Sequence, residues 1–176
     1  MEAVWLEYTS MDQPEHALSE HEKSQGTPRM SAAVAALEVA VQAANTFAAE
    51  CEKTLKHHEV LQIEVTRDLT LDLARELDAI TGRGREDAIP PELLSEGARG
   101  CADLANLAAC ALPELPSESF PSASGAVHLA AGAVRTLRIV IENGAASNSY
   151  ALRDARSAVW RADLAARQVA ELSEAR

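Results

Sequence analysis

Four groups of residues in this chain have the side-chain types that chemistry requires, and their spacing limits what each can do. His57-His58-Glu59 offers metal-ligand types. Adjacent positions on a helix point about 100° apart, whereas ligands on one helix sit three or four residues apart. The triplet therefore reads as a solvated helix end, where histidine favours the negative end of the dipole. Ser122-Ala123-Ser124-Gly125 with His128 nearby supplies a hydroxyl and a base. It lacks the Gly-x-Ser-x-Gly elbow that exposes a nucleophile, and helix capping accounts for its serines. Thr81-Gly82-Arg83-Gly84-Arg85 lacks the Gly-Lys-Ser/Thr ending and the preceding strand of a phosphate loop. Its two arginines offer either a hold on an anionic tail or a plain interhelical linker. Arg135 and Arg138 stand one helical turn apart and could clamp a carboxylate ligand, or pair with acids on neighbouring helices.

The remaining histidines and the cysteines add no framework. His16 and His21 lie in an acidic stretch and read as solvated. No facing pair of Glu-x-x-His motifs exists for a di-iron bundle, so no metal or cofactor is expected. Cys51, Cys101 and Cys110 are odd in number with no Cys-x-x-Cys, which suits reduced thiols in a cytoplasm. Cys51 and Cys101 are expected to pack as small hydrophobes.

The net charge of −11 repels phosphate backbones and anionic lipid, so neither nucleic acid nor a membrane surface is an expected partner. The apolar stretch from Ser31 to Ala49 is broken by Glu38, Gln42 and Asn45, which argues against a membrane span. The first residues lack the basic start and apolar run of a secretion signal. A length of 176 residues allows one domain with a real core. Aromatics make up only 3%, so alanine and aliphatic side chains must fill that core, and alanine favours helix.

The elements that must position these groups follow from the cadence of apolar residues. Residues 1–26 are acidic and polar and read as a flexible arm; within it Trp5, Leu6 and Tyr8 could dock on a partner or on the bundle itself. From Thr27, Val34, Leu37, Val41, Ala44, Ala48, Cys51 and Leu55 alternate by threes and fours, the stripe of a long helix. Residues 61–73 alternate apolar and polar with period two, as a half-buried strand would. Helix is preferred there, because no turn interrupts the run and Leu69, Leu73, Leu77 and Ile80 keep helical spacing. Gly82 and Gly84 are expected to break that helix. Pro90 and Pro91 open a third helix, with the stripe Leu94, Ala98, Cys101, Ala105, Ala108 and Leu112, ended by Pro113 and Pro116. A fourth starts after Pro121 with Ser122 or Ser124 as cap, buries Val127, Ala130, Val134, Leu137 and Ile141, and stops at Asn143-Gly144. Ser147 or Asn148 caps a fifth, with Leu152, Ala155, Val159, Ala162, Ala166 and Val169 inward. The fold class is thus all-α, an antiparallel bundle of about five helices over 27–176. Gly97, Gly100 and Gly132 lie inside its helices and imply close backbone approach.

The order of these landmarks resembles the formiminotetrahydrofolate cyclodeaminase and methenyltetrahydrofolate cyclohydrolase family of helical folate enzymes. Thr27-Pro28 before Ala32-Ala33-Val34-Ala35-Ala36-Leu37 is similar to the family's Thr-Pro and alanine-rich first helix. Ile89-Pro90 looks like its mid-chain Val-Pro, and Ala130-Ala131-Gly132-Ala133 leading to Val140-Ile141-Glu142-Asn143 like its late helix. The resemblance implies a ligand site between the start of the first helix and the late helix, at Arg29, Ser31, His128, Arg135, Arg138 and Asn143, for an anion such as a reduced folate. Arg29-Met30-Ser31 replaces the family's glycine triplet, and Phe120 to Ser124 has no counterpart of its Ser-Asp acid. The implied member is a degenerate one that binds with little or no turnover, having no agent for proton transfer. The alternative is a non-catalytic helical dimerisation or scaffold module, and a homodimer fits both.

Overall fold

The computed structural model describes residues 16–57, 60–144 and 149–175, with side chains from residue 32 onward. Five α-helices account for nearly all of them: α1 (His16–Leu55), α2 (Leu61–Glu86), α3 (Pro91–Ala111), α4 (Phe120–Gly144) and α5 (Tyr150–Glu174). A single 3-10 turn, Leu112–Glu114, follows α3. No strand occurs among the described residues, so the alternating 61–73 segment is helix. Of the arm expected over 1–26, residues 1–15 lie outside the described residues. From His16 the backbone is already helical, so α1 begins ahead of the apolar stripe.

Consecutive helices are joined by short connections and pack as antiparallel neighbours. α1 lies against α2 and α4, and α3 closes the ring against both; α5 fills the groove between α3 and α4. Ion pairs mark the register. Arg67 of α2 reaches Glu52 near the end of α1, and Arg85 reaches Glu38 near its middle. Arg156 near the start of α5 reaches Glu142 at the end of α4, and Arg135 reaches Asp163 midway along α5. Arg99–Asp154 and Arg161–Asp103 rise together, because α3 and α5 run parallel. These pairs are mostly exposed and set alignment more than stability.

The core is narrow because alanine lines it. Ala40, Ala44, Ala98, Ala105, Ala130, Ala155 and Ala162 are fully buried, around larger side chains that include Leu37, Phe47, Leu104, Leu137 and Leu152. Backbones consequently come close. A Cβ on Gly97 would lie 2.9 Å from Leu37 Cδ2, and one on Gly100 would lie 3.2 Å from Leu77 Cδ2. Close packing thus offsets the roughly 1 kcal/mol that a mid-helix glycine costs. Gly132 differs: a Cβ there would meet nothing within 4 Å.

α2 corrects two expectations. Gly82 and Gly84 do not break it; the helix runs on to Glu86, and no described residue has positive φ. Gly84 serves close approach instead, since a Cβ there would stand 2.3 Å from Ile89 Cδ1 and 3.0 Å from Val34 Cγ2. The buried face of α2 is also rotated from the expected leucine stripe. It consists of Ile63, Thr66, Thr70, Ala74, Leu77, Thr81 and Gly84; of the leucine cadence Leu77 lies in it, Leu73 and Ile80 pack partly buried beside it, and Leu69 is exposed. Thr70 and Thr81 donate their hydroxyls to the carbonyls of Thr66 and Leu77, each at 2.7 Å. That bond satisfies the only polar group these side chains carry into the core.

Helix ends need smaller adjustments. Residues 147 and 148 lie outside the described residues, and the cap of α5 is Ser149, whose Oγ accepts the Leu152 N–H at 3.3 Å. α4 begins at Phe120, so Ser122 and Ser124 are already helical.

α4 and the Ala32–Leu55 part of α1 are each long and apolar enough to cross a membrane, by length and composition. In the bundle they pack on one another, with a buried glutamate, Glu50, on α1.

Cys51 and Cys101 are buried, and burial pushes their thiols up to about 11 and about 12, while Cys110 is exposed. Thiolate is the reactive form. Brief iodoacetamide treatment of the native protein is therefore expected to add one carbamidomethyl group, and three after denaturation, by intact mass. Fast labelling of a second native cysteine would contradict the packing of α1 or α3.

Candidate functional site

Two places gather the groups singled out from the sequence. The first is an apolar cavity of about 230 Å³ at one end of the bundle. Ala33 of α1, Ala88 and Ile89 of the α2–α3 connection, Pro91 and Leu94 of α3, and Val140, Ile141 and Gly144 of α4 line it. Antiparallel packing creates this place by bringing the middle of α1, around Ala33, beside the end of α4. Every lining residue is apolar, so the cavity can enclose a ring or an aliphatic group but supplies no acid or base.

The residues implied as ligand contacts fall around that end and along α4. Arg29 and Ser31 lie on α1 just ahead of Ala33; their side chains are outside the described residues. Asn143 is exposed at the end of α4. Arg138 already holds Glu142 at 2.7 Å, and Arg135 holds Asp163 at 2.5 Å. Arg135 thus pairs with an acid on a neighbouring helix, one of the two fates open to these arginines, whereas Arg138 pairs within α4. His128 is exposed and belongs to a different surface, between α1 and α4.

The second place lies at the opposite end, where the α1 C-terminus meets the start of α4. Glu50 points inward there with only 8% of its side chain exposed, and it accepts a charged hydrogen bond from Lys53 Nζ at 2.7 Å. Ser119 and Ser122, at the start of α4, stand close enough for their hydroxyls to favour the ionised carboxylate. Burial alone would raise the pKa of Glu50, but Lys53 and the two hydroxyls outweigh it, and the carboxyl is held below its ordinary value of 4.5. A carboxylate in this position also faces the positive end of the α4 dipole. Ser119 meanwhile accepts the Ala123 N–H through its carbonyl at 3.0 Å. The group opens onto a cavity of about 380 Å³ bordered by Lys53, Thr54, His57, Pro116, Glu118 and Ser119.

Ser122 is therefore a partner of Glu50 and not of His128, which stands on another surface of the molecule. His57 lies near this second cavity, while His58 and Glu59 are outside the described residues. Among the described residues no three His, Cys, Asp or Glu side chains gather closely enough to hold a metal ion. Glu50 and Ser119 were not singled out from the sequence. A signal was present: Glu50 falls on the buried cadence of Phe47, Cys51 and Thr54, where a charge is unexpected unless it is partnered.

The fold and both sites define a five-helix bundle with one apolar end cavity and one carboxylate clasp. Comparison with models of protein families, with curated proteins and with solved structures found no match.

Proposed function

We propose that the chain is a degenerate, cytoplasmic relative of the folate cyclodeaminase and cyclohydrolase bundles that binds a folate-like anion with little or no catalysis. The observation that carries this reading is convergence. The three segments of resemblance are far apart in sequence, yet Ala33, Ile89 and Val140-Ile141 from them border one cavity. At about 230 Å³ it encloses a single ring system, leaving a ligand's acidic tail to the rim, where Arg29, Ser31 and Asn143 fall by register. The lack of any acid or base in the lining supports binding without turnover.

Folinate at millimolar concentration is expected to raise Tm by a few degrees, since a ligand that prefers the native state stabilises it. Leu94→Trp, which fills the cavity, is expected to abolish the shift. A wild-type Tm that does not move would sink the reading.

A second reading is a non-catalytic helical module that self-associates as a homodimer. Leu61, Val65 and Leu69 favour it, recurring every fourth residue on an exposed side of α2. Light scattering run with the melting experiment separates the two: a monomer at micromolar concentration that responds to folinate supports the first alone.

A further inference from the structure

Between α1 and α4 runs an apolar groove that no described element covers. Ala35 and Val39 form one wall, Leu129, Gly132 and Thr136 the other, with His128 at the edge. Val39 and Leu129 are 36% and 50% exposed. Its volume is about 450 Å³, room for aromatic rings. Gly132 is the informative residue. Gly97 and Gly100 are explained by leucines pressing against them, whereas a Cβ on Gly132 would meet nothing within 4 Å. Alanine there would favour the helix by roughly 1 kcal/mol, and, as at Gly82 and Gly125, the bundle leaves empty the space a side chain would take.

We propose that this groove is the docking surface for the chain's own Val4-Trp5-Leu6-Glu7-Tyr8 segment. That segment is the apolar cluster of an otherwise acidic and polar N-terminal stretch, and it carries one of the two tryptophans and one of the two tyrosines. Chain length fits a return along α1. From His16 to Ala32 the helix rises about 24 Å, and an extended chain from Tyr8 to His16 spans about 26 Å. Folding back at the start of α1 therefore brings Tyr8 level with Ala32, where the groove begins. His128 and Thr136 stand ready as polar partners for the indole N–H and the phenol, which need them once covered. A docked segment would cover the α1–α4 face against other chains.

Trp5 itself reports the outcome. Trp160 is 62% exposed, so Trp160→Phe removes the second fluorophore without opening the core. In that background Trp5 emission is expected to be blue-shifted and several-fold less accessible to acrylamide than in the unfolded chain. Gly132→Phe puts a ring into the depression from a position where a Cβ meets nothing within 4 Å, and Leu129→Glu places a charge on its wall. Both are expected to keep full helicity by circular dichroism and to move Trp5 emission to the solvent value. Solvent-like emission in the parent would overturn the proposal, as would protection that survives both groove variants. Protection that disappears on dilution would also overturn it, since the occupant would then be a second copy.

Discussion

Phe47→Ala is expected to cost about 3–5 kcal/mol of unfolding free energy, towards the upper end of that range. Phe47 is fully buried on α1 and is the bulkiest side chain of a core otherwise filled by alanine, leucine, valine, isoleucine and cysteine. A cavity is partly repaired when neighbours change rotamer or lean inward. Alanine has no rotamer to change, so little of the space can be reclaimed, and the lining loses its dispersion contacts outright. Urea unfolding followed by circular dichroism should show a lower midpoint with an unchanged slope. A loss under about 1 kcal/mol would mean that α1 does not present Phe47 to the interior as described.

Glu50→Ala is expected to cost about 2–3 kcal/mol at neutral pH, because it removes the charged hydrogen bond to Lys53 and the acceptor that the Ser119 and Ser122 hydroxyls favour. Lys53 is 64% exposed and returns to water, so the loss falls mainly on the two serines and the first turn of α4. The pH dependence identifies the cause. The folded carboxyl is held below 4.5, so the unfolded chain takes up the proton first as pH falls. The contribution of Glu50 is therefore complete above the unfolded value and is lost as pH drops through the folded one. The gap between wild type and variant should be constant above the unfolded value and narrow as pH falls below it. A gap that stays constant there too would assign the effect to packing and not to the charge.

The two variants probe features of different legibility. Phe47 lies on the helical cadence of α1, but it was not in the stripe read from the sequence, which ran through Ala44 and Ala48. α1 packs against both α2 and α4, so it buries two adjacent stripes where a surface helix buries one. Ala40, Ala43 and Phe47 belong to the set that a single stripe leaves out. Glu50 was hidden for a related reason. Its partners Ser119 and Ser122 come from the start of α4, and no local pattern says that the end of α1 meets them.

By itself the sequence determined that this chain is helical, where α3 and α4 stop, and which residues of α3, α4 and α5 face inward. Those properties are local: alanine propensity, proline and glycine at helix ends, and the three-and-four recurrence of aliphatics act within one helix. Tertiary structure alone decided the threonine-bearing face of α2, the use of Gly84 for contact in place of a turn, the clasp around Glu50 and the meeting of Ala33, Ile89 and Val140 at one cavity. Each depends on which surface lies opposite, and periodicity along one helix carries no information about its neighbour.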